Sequence, residues 1–484
     1  MHKSEEVNEQ QNKSEDDLSS KSALPVSITS NVLVRQLYTL TAYIAAEQSQ
    51  PYNNDHLLYW LLQQNCFDVP VSELDALMVD VASRRYKDNK ISLRELVKET
   101  AHRPPVDLFD KGASKQLKAA AHLLQQCFER LPTLNLLQYL NWLVFELSTK
   151  MNMAGSGISK PDEHLVQLLR YTEHQVESEP TLSLSQWVTR FPTQHAFLPA
   201  QRLTPFIQPL DKAITDKLVK RFVFSATALN CFLQCPLSFY YTHILCVPQP
   251  GNTAMALGTA VHTALQFLFE QMQAARGRFP PCIAFIDSFI ACMLKHQQQF
   301  TPAQFEQRLA YGKAVLQRYY DRYIFEWNKV VVLERHLRNV QVHGVPVKGK
   351  PDKLEFIGNR VNVVDYKTGS YQKAATSLLP PNEQNAKGGS YWRQAVFYAL
   401  LVNNSNSRNW QVESATFDFI EATEEDEFMK VNLAITAADT TTVTQQLSYA
   451  WQKVQQHNFY TGCGKSNCYW CNRVIEVTIE KVGE

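Results

Sequence analysis

Residues 349–369 read GKPDKLEFIGNRVNVVDYKTG, and the fold turns on how this stretch is read. Leu354 to Phe356 and Val361 to Val364 have the β-branched and aromatic character of strands, and Gly358-Asn359 between them supplies a turn. A two-residue loop pairs Ile357 with Arg360 and fixes the register. Asp352 then stands directly opposite Asp365, and Lys367 projects from the same face. Two carboxylates about 5 Å apart repel by roughly 3 kcal/mol at an effective dielectric near 20. Like charges placed face to face in a sheet need compensation, and a divalent cation between them is one form of it. Leu354, Phe356, Val361 and Val363 share the face of both aspartates, so the acids end a core-facing stripe. An ammonium beside such an ion suits the hydrolysis of a phosphodiester. Lys350 falls opposite Lys367 only if the strand stays regular through Pro351, so it receives no role here.

Three segments now line up in order. Gly258-Thr259-Ala260-Val261-His262 is expected to open a helix that runs on through Leu265. Pro351-Asp352 is followed by Asp365-Tyr366-Lys367. Gln394-Ala395-Val396-Phe397-Tyr398 places Gln394 and Tyr398 four residues apart, on one helix face. In this order and spacing, over about 140 residues, they resemble the RecB-like branch of the PD-(D/E)XK nuclease superfamily. The first matches a G-x-x-x-H motif, the second the defining carboxylate–lysine motif and the third a Q-x-x-x-Y helix.

The resemblance implies an α/β fold, a restriction-endonuclease-like mixed sheet flanked by helices. It also implies roles. His262, Asp352, Asp365 and the main-chain carbonyl of Tyr366 would ligate Mg²⁺ or Mn²⁺. Lys367 would orient water and stabilise developing charge, with Gln394 and Tyr398 positioning water or phosphate. Glu334, after the strand-like run from Val330, is an outlying candidate that supports the ligands without touching the metal. Tyr371, Tyr391 and Trp392 are aromatics near the site. The implied activity is metal-dependent cleavage of DNA, single-stranded or at duplex ends, by an exonuclease of repair and recombination. The alternative is a non-catalytic DNA-binding scaffold in a helicase–nuclease complex. The retained set of His262, Asp352, Asp365, Lys367 and Gln394 argues against that alternative.

The chain has 10 cysteines. No signal peptide is evident, which argues against a disulfide framework. Cys463-x4-Cys468-x2-Cys471 is tight enough for ligands converging on one centre. Cys235, followed by Pro236, resembles the lone upstream cysteine of nucleases in this superfamily that hold a 4Fe–4S cluster, and Cys231 is its rival for that position. The family pattern is often C-x2-C with a longer gap, so zinc stays open as the alternative occupant. Gly464-Lys465-Ser466 ends like a phosphate-binding loop, but Phe459 stands where that motif needs glycine.

The rest of the 484 residues frames this domain. A net charge of +1 gives no global attraction to polyanions. The apolar-rich run Leu134 to Leu147 is too short and too interrupted to span a bilayer, so the expectation is a cytoplasmic protein with no membrane contact. Residues 1–28 are polar and read as a disordered tail. Residues 29–187 carry helical periodicity, with a capped start at Ser92-Leu93-Arg94-Glu95 and a Gly/Ser/Lys/Pro loop at 154–161. This all-α region resembles accessory helical segments of UvrD/Rep-type helicases that carry a C-terminal nuclease. The resemblance implies a helicase partner or missing helicase domains, because no ATPase motor motif is present in the chain. Four prolines mark 188–220 as an extended linker, and the nuclease domain is expected over 221–484 with the cysteine-rich clasp at its end.

Overall fold

The computed structural model of the chain describes residues 24–85, 89–104, 112–152, 162–191, 204–248, 253–405, 409–423 and 427–482. Most of the expected polar tail and the 154–161 loop lie outside these residues. The chain divides into two compact units, one from 1–205, 245–248 and 464–484, the other from 206–244 and 249–463.

The first unit is all helical among its described residues. Its helices are α1 (Val26–Ser30), α2 (Val32–Ser49), α3 (Asp55–Leu61), α4 (Val71–Arg84), α5 (Leu93–His102), α6 (Lys115–Arg130), α7 (Leu136–Asn152), α8 (Glu163–Ser178) and α9 (Leu184–Arg190). Ordered packing begins before residue 29, since Leu24 and Ile28 are buried. The capped start at Ser92 is a full capping box, with the Ser92 hydroxyl accepting from the Glu95 amide and Glu95 accepting from the Ser92 amide. A C-terminal helix, Tyr469–Val482, belongs to this unit rather than to the α/β unit, and Trp470 packs on Trp60 at 5.8 Å between ring centroids.

The second unit begins in the stretch expected to be extended. Residues 212–220 are instead a helix, α10 (Lys212–Lys220). The prolines stop at Pro209, and Asp211 caps the helix by accepting the Ala213 and Ile214 amides. Then follow α11 (Ala226–Gln234), α12 (Pro236–Phe239), α13 (Thr253–Ala274), α14 (Cys282–Lys295) and α15 (Pro302–Tyr323). The strands are β1 (Val331–Leu333), β2 (Leu337–Val342), β3 (Val345–Gly349), β4 (Lys353–Ile357), β5 (Arg360–Lys367), β6 (Gln411–Ala422) and β7 (Phe428–Ala434). Helix α16 (Ser390–Asn403) lies between β5 and β6, and α17 (Ala437–Gln455) follows β7.

Five strands form one mixed sheet in the order β1-β4-β5-β6-β7, while β2 and β3 pair separately. Within this sheet, among the described residues, only the β5–β6 pair is parallel. Its connection runs through α16, as a parallel crossover requires. The β4–β5 register runs from Ile357↔Arg360 to Lys353↔Val364, as expected from the turn. Gly358 adopts φ +66° there, a left-handed conformation that glycine takes without steric cost. Helices α13, α14 and α15 cover one face of the sheet over Val364, Tyr366 and Ile420. Helix α16 lies on the opposite face, buried through Val396, Phe397 and Leu401.

The core under α15 is tight. A Cβ on Gly312 would lie 2.2 Å from Cζ of Phe289, a fully buried ring on α14. Helix propensity alone favours Ala over Gly by about 1 kcal/mol, whereas overpacking a close-packed core costs about 1–3 kcal/mol. Gly312→Ala should therefore destabilise, lowering the urea midpoint. A raised midpoint would show that Phe289 has room to move.

Candidate active site

The site forms where β1 and β5 end and β4 begins, between α13 and α16. Asp352 occupies the bend before β4, and its Oδ2 accepts the Tyr366 amide at 2.9 Å. Its Oδ1 lies 3.3 Å from Nδ1 of His262 on α13. That helix starts at Thr253, more than a turn before Gly258, so the glycine does not open it. Gly258 instead permits close approach, since a Cβ there would meet the Thr368 hydroxyl at 3.3 Å. The residues after Lys367 can thus pass tightly beside the helix that carries His262.

Asp365 is nearly fully buried and has its own partners. Lys367 Nζ lies 2.6 Å from Oδ2, and Gln394 Nε2 donates to Oδ1 at 2.9 Å. Lys367 also donates to Oε1 of Gln394 at 3.0 Å, so the three side chains close a small ring. Tyr398 lies within hydrogen-bonding reach of Gln394 Nε2 at 3.4 Å. Gly349 makes room for it. A Cβ there would sit 3.2 Å from the Tyr398 ring and 2.6 Å from Leu401. The Lys367 ammonium rests 4.1 Å from the centroid of Tyr391, which stacks on Phe417. Trp392 and Tyr371 turn to packing, the first donating to Asp439 and the second against Phe419.

Glu334 joins this group. It follows β1, and its amide donates to the Asp352 carbonyl at 2.9 Å, extending the β1–β4 ladder by one residue. Its backbone takes φ +44°, a strained conformation for a non-glycine residue. Side-chain donor atoms of His262, Glu334 and Asp352 lie within 4.8 Å of one another. Asp365 is outside this group, held by Lys367 and Gln394. Lys350, given no role above, forms an ion pair with Glu334. One imidazole nitrogen and two carboxylates are a hard oxygen-and-nitrogen donor set, which fits Mg²⁺ or Mn²⁺ rather than a soft metal.

The electrostatics agree with crowding of like charge. Burial pushes the Asp365 carboxyl up to about 6, Lys367 opposes this, and Asp352 adds to it. Burial pulls the His262 imidazole down, but its hydrogen bond to Asp352 and the charges of Asp352, Asp365 and Glu334 outweigh that and raise it. Tyr398 is raised by burial first and by Asp365 next.

Two cysteine pairs each lie within one unit. Cys235 and Cys463 of the second unit offer sulfurs within 4.8 Å of each other, as do Cys468 and Cys471 of the first, and Cys231 is in neither pair. The Cys235 sulfur also accepts the Ser238 amide at 3.4 Å, capping α12.

The Asp365 shift has a definite sign in stability. The folded carboxyl titrates near 6 and the unfolded one near about 3.9. Between these values the native state binds the extra proton, so this group adds stability as pH falls through the folded value. In EDTA, the melting temperature of the wild type minus that of Asp365→Asn should be more positive at pH 5 than at pH 7.5. A gap that moves the other way would show that Asp365 is not held against its charge.

No curated protein matches the chain. A solved structure, a "Putative exonuclease" from Eubacterium rectale, is similar at 12% identity, covering 55% of this chain and 92% of that chain with a TM-score of 0.34. Among family models, that of the PD-(D/E)XK nuclease superfamily matches residues 223–474, just over half of the chain. The matched span includes every residue placed at the site above, and the chain belongs to the PD-(D/E)XK nuclease superfamily, whose members are nuclease-type hydrolases.

Proposed function

We propose that the protein is a Mg²⁺- or Mn²⁺-dependent deoxyribonuclease of the RecB-like branch, acting as an exonuclease on single strands or duplex ends. One observation carries this reading. His262, Glu334 and Asp352 converge at the same strand ends where Asp365, Lys367 and Gln394 close a hydrogen-bonded ring. A divalent ion held there would polarise the scissile phosphate and favour ionisation of an attacking water. The protein's own groups do the rest. Gln394 fixes both Asp365 and Lys367, so neither must reorganise when substrate arrives. The Lys367 ammonium, fixed on one side by Tyr391, faces charge that develops on the phosphate oxygens. Tyr398 holds Gln394 from behind.

The reading extends to context. The helical unit is read as an accessory module of a helicase–nuclease, with a helicase partner or helicase domains missing from this sequence, in cytoplasmic DNA repair and recombination. No helix among the described residues is long and apolar enough to cross a membrane.

Lys367→Ala tests the assigned roles. Cleavage of labelled single- and double-stranded DNA should fall by about 10²-fold or more, while Mn²⁺ affinity stays near wild type. Cleavage at the wild-type rate would refute the role of Lys367. A wild type inert on every DNA in Mg²⁺ and Mn²⁺ would favour the scaffold alternative.

Cys235, Cys463, Cys468 and Cys471 hold a 4Fe–4S cluster in this reading. Four thiolates at the usual bond length of about 2.3 Å would instead suit a single tetrahedral zinc. Protein purified anaerobically should be brown and carry about four irons per chain, and Cys468→Ser should bleach it and lower its melting temperature. Colourless protein with one zinc per chain would assign zinc instead.

A further inference from the structure

The acids at this site are each already matched with a base. His262 faces Asp352 at 3.3 Å and Lys367 faces Asp365 at 2.6 Å. Lys350 is ion-paired with Glu334. The first two pairs belong to the motifs that mark the superfamily. The third pair's carboxylate joins the group that His262 and Asp352 form, and the pair differs from the first two in two respects. Its backbone is strained at φ +44° with the amide tied to Asp352, so the carboxylate is held there at a conformational cost. Its base is the least enclosed of the three, with 42% of the Lys350 side chain exposed against 31% of His262 and 16% of Lys367, while Glu334 itself is 14% exposed.

A mostly buried carboxylate paired with a half-exposed lysine is an asymmetric ion pair. The carboxylate cannot leave, whereas the flexible lysine stem can swing into water with little loss. A divalent cation among His262, Glu334 and Asp352 would compete directly with the ammonium for the Glu334 oxygens, and the two cations repel.

We propose that Lys350 is a displaceable counter-ion, which neutralises Glu334 until a divalent cation takes over that carboxylate and releases the ammonium to the phosphate backbone of the DNA strand. Metal loading and strand binding are thereby coupled through one side chain. Glu334 becomes a ligand in its own right, and Lys350 is a positioning residue that reports whether the ligand is engaged. This inference rests on the metal-dependent reading above and adds a order of events to it: cation first, strand second. No bond is made or broken in the exchange.

Mn²⁺ binding to metal-stripped, full-length protein, followed by electron paramagnetic resonance, tests the exchange without any turnover. Lys350→Met should bind Mn²⁺ about three- to tenfold more tightly than the wild type, because the competitor is gone. Glu334→Gln should bind it about tenfold or more weakly. Fluorescence anisotropy of a single-stranded oligonucleotide should show tighter binding in Ca²⁺ than in EDTA for the wild type. Lys350→Met should lose that gain and Lys350→Arg should keep it. Equal or weaker Mn²⁺ binding by Lys350→Met would overturn the counter-ion role, as would a Ca²⁺ gain that survives in that variant. Asp352→Asn separates the two levels. If it abolishes Mn²⁺ binding while Glu334→Gln does not weaken it, this inference fails and the nuclease reading stands. If Asp352→Asn binds Mn²⁺ like the wild type, the metal site itself is misplaced and both fail.

Discussion

The register of the β4–β5 hairpin is the constraint on which the site depends. Because side chains alternate along a strand, a slip of one residue would move Asp365 and Lys367 to the opposite face and leave Val364 and Tyr366 in their place. Two features prevent it. The two-residue turn with Gly358 at φ +66° sets the pairing from one end. At the other end, Val364 and Tyr366 are buried against α13 while Val363 and Asp365 are buried on the α16 side. Both faces are therefore specified, and the acids inherit their positions from the packing of their neighbours.

What surrounds the hairpin serves to bring two helices close without pushing them out of line. Gly258 on α13 and Gly349 on β3 each lack the one atom that would meet Thr368 or the Tyr398 ring. On the α16 side a buried arginine adds a second hold. Arg393 donates to Asn230 at 2.5 Å, to Gln446 at 2.6 Å and to the carbonyls of Lys387 and Gly388, with no carboxylate among these partners. Burial pushes it down to about 10. A charge satisfied only by neutral acceptors is costly to keep in a core. What it achieves is geometric: it ties the first turn of α16 to α11, to α17 and to the preceding loop, and the next residue along the helix is Gln394.

The parts of this arrangement that are local in sequence were legible there. The hairpin, its register, the facing aspartates and the helical pair Gln394/Tyr398 follow from periodicities of two and four residues, and a cap such as Ser92 follows from its own neighbours. Glu334 and Lys350 were not legible in the same way. Their meeting depends on β1 pairing with β4 across twenty residues and on a positive φ that nothing in Leu333-Glu334-Arg335 announces. Helix α10 was hidden by the prolines on its N-terminal side, although Asp211 at its start is an ordinary cap. The N-terminal extent of α13 was hidden by taking Gly258 as a boundary, when its role is close contact with Thr368.

The same structure also changes what compensates the acids. The sequence suggested a cation between Asp352 and Asp365 as one form of compensation. In the folded chain those two are dealt with separately, Asp352 by His262 and the Tyr366 amide, and Asp365 by Lys367 and Gln394. Asp365 is therefore shaped more by its lysine than by its facing aspartate, which is the order in which the two affect its titration after burial itself. The acid left with the most exposed base is Glu334. An incoming cation gains most where the partner it displaces is easiest to return to water, because desolvation of the carboxylate has already been met by folding while solvation of the ammonium is recovered. The position of least resistance in the site is thus set by which lysine the fold leaves half in solvent.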